Sequence, residues 1–506
     1  MFKGQPKGLF ALALANTGER FGYYTMIAVF ALFLRANFGL EPGTAGLIYS
    51  SFLMLVYFLP LIGGILADKF GFGKMVTTGI IIMFFGYLLL SVPLGSGTVA
   101  LVGMMAALIL IGFGTGLFKG NLQVMVGDLY NDPQYADKRD SGFSLFYMAI
   151  NIGALFAPTA AIRIREWAIG LGFDGNSAYH FSFAVACISL IISIAIYYAF
   201  RSWFKHVEGG AKKGKKEEIV DTLTPEQTKK RMVALFLVFA VVIFFWMSFH
   251  QNGLTLTYFA DEFTERSAEG LASMPFNVWN LVAVIAIVYA LFSIFDKETS
   301  QKGKWIGTGV VVAAVAFLVW QYTRISGTME ISAPIFQHFN PFYVVALTPV
   351  SMAIFGSLAK KGKEPSAPRK IAYGMLVAAI AFGFMAFASI GLNTPDFQQT
   401  VRGGAQETLV SPYWLITVYL ILTFGELLLS PMGISFVSKV APPKYKGMMM
   451  GMWFVATALG NFLVQVGGHL WGPLPLWVVW SVFLGVCVIS AIFMFSMMKK
   501  LEDATK

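Results

Sequence analysis

Fourteen apolar runs, most of them close to the length needed to cross a bilayer as a helix, follow one another along this chain. They lie near residues 9–35, 44–67, 74–94, 99–127, 141–162, 178–203, 232–260, 277–295, 305–323, 335–359, 370–392, 411–438, 447–471 and 475–498. A helix rises ~1.5 Å per residue, so about 20 apolar residues cover the ~30 Å of hydrocarbon in a bilayer. Within lipid only helices and closed barrels satisfy every backbone N–H and C=O, and the two-residue alternation of a barrel strand is absent here. The sequence therefore predicts an all-α membrane protein. Composition agrees: 57% of the 506 residues are hydrophobic and 13% are charged, about half the charged share of an ordinary soluble domain.

The first run, from about Leu9 to Leu34, lacks an A-x-A cleavage pattern and reads as a retained helix. With the N-terminus on the cytoplasmic side, loops facing that side hold most of the 37 lysines and arginines. The opposite loops hold only Arg35, Arg163, Arg165, Arg266, Arg324 and Arg402. This asymmetry supports an even number of spans with both termini inside. It also accounts for the net charge of +10 without any nucleic-acid partner. The longest inner loop contains "AKKGKKEEIVDTLTPEQTKKR" and divides the chain into a six-helix bundle over 1–203, a cytoplasmic linker over 204–231 and a second bundle over 232–506. The second bundle carries two extra helices near 277–323. "PEQTKKR" could form a surface helix, but a solvated linker is the simpler reading. A faint likeness of "FYMAINIG" to "WFVATALG" hints at a duplicated bundle.

Polar groups inside the runs are few. Asn16, Glu19, Arg20, Tyr23 and Tyr24 share one face of the first helix. A charge at mid-bilayer costs roughly 2.5–3.5 kcal/mol even on lenient scales, so that face is expected to line the bundle interior or a wet cavity. Lys119 and Asn121, Tyr147 and Asn151, then His250, Gln251 and Asn252 in one helix, Asn340 and Glu426 complete the set. Such groups can act purely as interhelical glue. Lys119 and Glu426, however, are lone charges in different halves, and a cation facing an anion suits a zwitterion. "GFGTGLFKGN" lacks the Ser or Thr that a phosphate loop needs after its lysine. The five histidines and two separated cysteines show neither metal-ligand spacing nor a C-x-x-C pair. No nucleophile and base are paired, and the longest loop, about thirty residues, is too short for a receptor's output domain. No enzyme, metal or nucleotide cofactor is expected, which leaves an ion gradient as the energy source. "GGILADKFGFGK", with Asp68 and Lys74, forms a charged inner loop that resembles the loop motif of the major facilitator superfamily.

Further segments resemble the proton-dependent oligopeptide transporters, the POT or PTR family: "GERFGYY" (18–24), "FKGN" (118–121), "FYMAINIG" (146–153), "FQHFNP" (336–341), "GELLLSP" (425–431) and "MGMWF" (450–454). The resemblance implies a major facilitator fold of two six-helix bundles, alternating access, and inward symport of di- or tripeptides with protons by a monomer in a bacterial inner membrane. By position, it implies that Glu426 meets the peptide amino group and that Lys119, with Tyr23 and Tyr24, attracts its carboxylate. Asn151 and Asn340 would bond the backbone or termini, and Trp453 would line a side-chain pocket. Glu19, Arg20, Lys119 and His250 become candidates for proton coupling or gating. The chain departs from the family pattern in two places. Asn16 replaces the first glutamate of E-x-x-E-R, and an amide carries no proton in the physiological range. Ile27 replaces an arginine that usually meets an acidic residue on helix 7, which predicts loss of that outer gate pair. Weakened coupling, or another small amine-bearing cargo, is the alternative.

Overall fold

Each expected apolar run is a helix in the computed structural model, which describes residues 4–209, 223–297 and 299–504. Fourteen helices among these residues are long and apolar enough to cross a membrane. Spans 1 to 6 are Lys7–Phe38, Pro42–Phe70, Phe72–Leu90, Thr98–Asp128, Arg139–Gly170 and Ala178–Ala199. Span 7 is Pro225–Glu262, spans 8 and 9 are Val278–Phe295 and Gln301–Thr323, and span 10 is Ala333–Lys360. Spans 11 to 14 are Ala367–Ala388, Tyr413–Val440, Met448–Leu470 and Leu476–Ser496.

Close packing follows from small residues where backbones cross. A Cβ added to Gly79 in span 3 would sit 2.6 Å from the Gly114 carbonyl oxygen of span 4, and one on Gly114 would sit 2.6 Å from that of Gly79. Only glycine permits this approach, in which dispersion contact between helices replaces the hydrophobic drive that lipid does not supply. Spans 2, 3 and 4 consequently form one packed unit, and spans 1, 5 and 6 another.

Two features differ from the sequence reading. Span 7 begins at Pro225, so "PEQTKKR" is its first turns rather than linker. The local cause is a capping box: Gln227 N–H donates to Thr224 Oγ1 (3.2 Å) and Thr224 N–H donates to Gln227 Oε1 (3.0 Å), with proline at the first helical position. The charged stretch 210–222 of the expected linker lies outside the described residues. Second, His250, Gln251 and Asn252 do not continue the helix but form a 3₁₀ turn, His250–Gly253, that interrupts span 7. Gln251 stabilises the break by donating to the Met247 and Val464 carbonyls and accepting from Thr255 Oγ1.

The two additional helices are inserted between spans 7 and 10. Their bases are stapled by a two-stranded antiparallel sheet, β1 (Ser267–Glu269) with β2 (Thr328–Glu330). Span 9 is largely exposed, whereas span 8 packs against span 5 of the first half and span 10 of the second. The pair thus packs on the outside of the bundle, with span 8 lying over the seam between halves.

Candidate functional site

The shared face of span 1 points into the protein interior. Glu19 is 1% exposed and Arg20 3%, so neither charge is open to lipid. Their mutual pairing answers the cost of burial: Arg20 Nε and Nη2 donate to Glu19 Oε2 and Oε1 at 2.5 and 2.6 Å. The Arg20 guanidinium also lies 4.6 Å from the centre of the Tyr23 ring, and Tyr23 makes an edge contact with Tyr24.

Lys119 behaves differently. Its ammonium sits 3.8 Å over the ring of Tyr57, a span 2 residue, and it forms no ion pair among the described residues. A cation held on an aromatic face keeps partial stabilisation while its N–H donors stay available. Glu19 pairs with Arg20 and not with Lys119.

On the facing wall, Asn340 Nδ2 donates to Glu426 Oε2 (2.9 Å) and to Thr423 Oγ1 (3.0 Å). The Asn340 amide is therefore engaged in fixing the carboxylate. Asn151 donates to the Tyr147 carbonyl one turn earlier (3.0 Å). Tyr24, Tyr57 and Tyr147, all from the first half, stand close enough to Glu426 to interact with its charge. The structure thus brings Tyr24, Tyr57, Tyr147 and Glu426 into one electrostatic neighbourhood, with Lys119 on Tyr57. Trp453 lies against span 12, where its ring occupies the space a side chain at Gly433 would need, and it is 4% exposed. Asp68 and Lys74 lie apart from this site, exposed at the junction of spans 2 and 3.

His250, at the start of the 3₁₀ turn, shares a 2.5 Å hydrogen bond between Nδ1 and Asn461 Oδ1. Its ring stacks on Trp246 and stands 6.2 Å from that of Tyr57. Tyr57, Asn461, Thr423 and Trp246 are the members that sequence reasoning missed. Asn461 and Thr423 carried a signal, a polar residue in an apolar run and a hydroxyl one turn from Glu426. Tyr57 and Trp246 read as ordinary apolar filling.

Ile27 offers no charge for the pair of the family pattern, but the halves are bridged by another ion pair nearby. Arg35, two turns beyond Ile27, forms an ion pair with Glu262 at the end of span 7. Glu262 Oε2 also accepts from Trp471 Nε1 (3.0 Å), and the Arg35 guanidinium covers the Tyr258 ring at 4.6 Å. A second cross-half latch lies deeper, where Gln337 Nε2 donates to the Ala28 carbonyl (3.2 Å) and to Thr257 Oγ1 (3.1 Å). The halves are joined at the end that the charge asymmetry assigns to the outside.

Comparison with known proteins places this geometry. A model described as the POT family matches residues 73–217 and 320–470. The transporter YclF of Bacillus subtilis (strain 168), itself uncharacterized, is 30% identical over 493 residues, covering 92% of this chain and 88% of its own. A di-/tripeptide transporter of Lactococcus lactis subsp. lactis (strain IL1403) is 27% identical, covering 90% and 87%. A crystal structure of a POT family transporter in complex with 5-aminolevulinic acid superposes with a TM-score of 0.74 at 20% identity, covering 99% and 98%.

Proposed function

The chain belongs to the POT family of transporters, and from that premise we propose that it imports di- and tripeptides by alternating access, coupled to protons. The observation that carries this reading is the unequal treatment of its interior charges. Glu19 and Arg20 satisfy each other, while among the described residues Lys119 rests on an aromatic face without an ion pair and Glu426 accepts from a neutral amide. A zwitterionic peptide completes both: its carboxylate meets the Lys119 ammonium, and its amino group meets the Glu426 carboxylate. Because the two poles belong to different halves, a bound peptide draws the halves together, and the free energy of those contacts biases the closed state. Grip on the two termini, which all peptides share, leaves side chains to permissive surfaces such as that of Trp453.

Coupling is assigned to Glu19 and His250, the titratable groups next to the poles once Asn16 has removed the first glutamate of the motif. One charge moving through 100 mV supplies about 2.3 kcal/mol, enough to drive an uncharged or zwitterionic solute uphill. Asp68 and Lys74 belong, on this reading, to the inner loop that changes contacts as the bundles rock. A second cargo class, small metabolites bearing both an amine and a carboxylate, fits the same poles. The 5-aminolevulinic acid held by the structurally similar transporter has that chemistry.

Uptake of labelled dialanine into proteoliposomes, with and without an inward proton gradient and negative interior, tests the proposal. Accumulation above equilibrium that requires the gradient is expected. Saturable equilibration indifferent to the gradient would remove proton coupling, and no uptake of dialanine alongside uptake of 5-aminolevulinic acid would replace the cargo.

A further inference from the structure

Span 10 contains Pro349. Proline has no N–H, and its ring pushes against the carbonyl four residues earlier, so a helix carrying it loses one hydrogen bond and bends there. The carbonyl orphaned in this case is that of Val345, in a segment where Val345 itself is 4% exposed. In lipid or protein interior such a group is costly unless a neighbour supplies a donor. The neighbour is Tyr289 of span 8, whose hydroxyl donates to the Val345 carbonyl at 3.1 Å.

The same hydroxyl lies 3.9 Å from Met148 Sδ of span 5. Met148 is flanked by Tyr147, one of the tyrosines that interact with Glu426, and lies one turn before Asn151. Nearer the outer end, the Trp279 ring of span 8 makes an edge contact with Phe156 of span 5 at 5.3 Å. Span 8 therefore runs along span 5 of the first half while its tyrosine occupies the broken position in span 10 of the second. Rocking of one half against the other must move span 5 across this face.

We propose that Tyr289 is a positioning residue for transport: the inserted hairpin is a splint across the proline hinge of span 10, and its hydroxyl holds that hinge in the bend belonging to the outer-closed state. Tyr289 touches no substrate. It acts on the balance between outer-closed and outer-open forms by supplying, or withdrawing, the donor that Pro349 removed. This inference rests on the alternating-access reading above.

The test is a double-mutant cycle read by distance. Spin labels replace exposed Leu171 and Thr400, on the outer ends of the two halves, in a background with Cys187→Ala and Cys487→Ala. The outer-open fraction is measured by electron–electron double resonance for the parent, Tyr289→Phe, Pro349→Ala and the double variant. Tyr289→Phe keeps the ring and removes only the donor, so the outer-open to outer-closed ratio is expected to rise by about two- to tenfold, the worth of one such bond. Dialanine affinity is expected to stay unchanged. Pro349→Ala restores a backbone N–H to Val345, so adding Tyr289→Phe to it should produce no further shift.

An equal shift in both backgrounds, or none in either, overturns the proposal. A change in dialanine affinity without a change in distances does so too. If the distances follow the cycle but no variant transports or binds dialanine, the hinge assignment stands and the peptide reading falls.

Discussion

The two walls of the central site handle charge differently. In the first half, Arg20 has a carboxylate at 2.5 Å while Lys119, in the same interior, rests on a tyrosine ring. In the second half, Glu426 has an amide donor but, among the described residues, no ion pair with a cation. A buried ion pair that is complete within one helix holds structure, because breaking it leaves a charge stranded at a cost of about 3–5 kcal/mol. A charge held inside without its opposite is, on the reading proposed above, where the ligand's opposite charge sits. Lys119 is half-buried where Glu19, Arg20 and Glu426 are buried, and the sharper contrast lies in the partners.

The largest effect that can break this comparison is expected from Lys119→Met. Loss of a buried charge partner costs about 2–5 kcal/mol, so uptake kcat/KM for dialanine should fall by about 30-fold or more. Retained uptake would mean that the peptide carboxylate is held elsewhere. Glu426→Gln should follow, with a loss of about tenfold for dialanine, since an amide still offers an oxygen acceptor to the ammonium. The substitution should matter much less for N-acetyl-dialanine, which has no charge there. Equal loss for both ligands would deny Glu426 its contact with the amino group.

Arg35→Gln sharpens the comparison from the other end, because its pair with Glu262 spans the two halves instead of lying within one. The outer-open fraction should rise several-fold, measurable by labelling of cysteines introduced near that end, with little change in dialanine affinity. A parallel loss of affinity would show that the gate and the binding site are one unit. The smallest effect is expected for His250→Gln. Glutamine can keep a hydrogen bond to Asn461 but cannot take a proton, so the rate at saturating dialanine should change little while its dependence on external pH flattens. An unchanged profile would leave Glu19 as the coupling group.

Much of this was legible in the sequence because lipid imposes a simple rule. Every apolar run of sufficient length became a span, and the lone charges Lys119 and Glu426 stood out against apolar neighbours. What stayed illegible was pairing across sequence distance. Nothing in a linear reading separates Tyr57 from other aromatic residues of span 2, although its ring is the platform for Lys119. Arg35 read as a loop residue because the end of span 1 was placed early, and that hid its pairing with Glu262. The break at His250–Gly253 was missed for a related reason: the run remains apolar on both sides, and the interruption depends on Gln251 bonding Val464 more than two hundred residues away.

At the outer end, Gly468 of span 13 faces span 2 so closely that an added Cβ would lie 2.5 Å from the Pro42 carbonyl oxygen and 3.3 Å from Gly46 Cα. Main chain lies on main chain, with no space for a file of water molecules between them. Protons leak through proteins along such files, and a crossing of main chain on main chain offers them none at this point. Its attraction is dispersion spread over many weak atom pairs, which fades smoothly with separation. Such a surface excludes water where it is closed without any directional bond that must be broken before it parts.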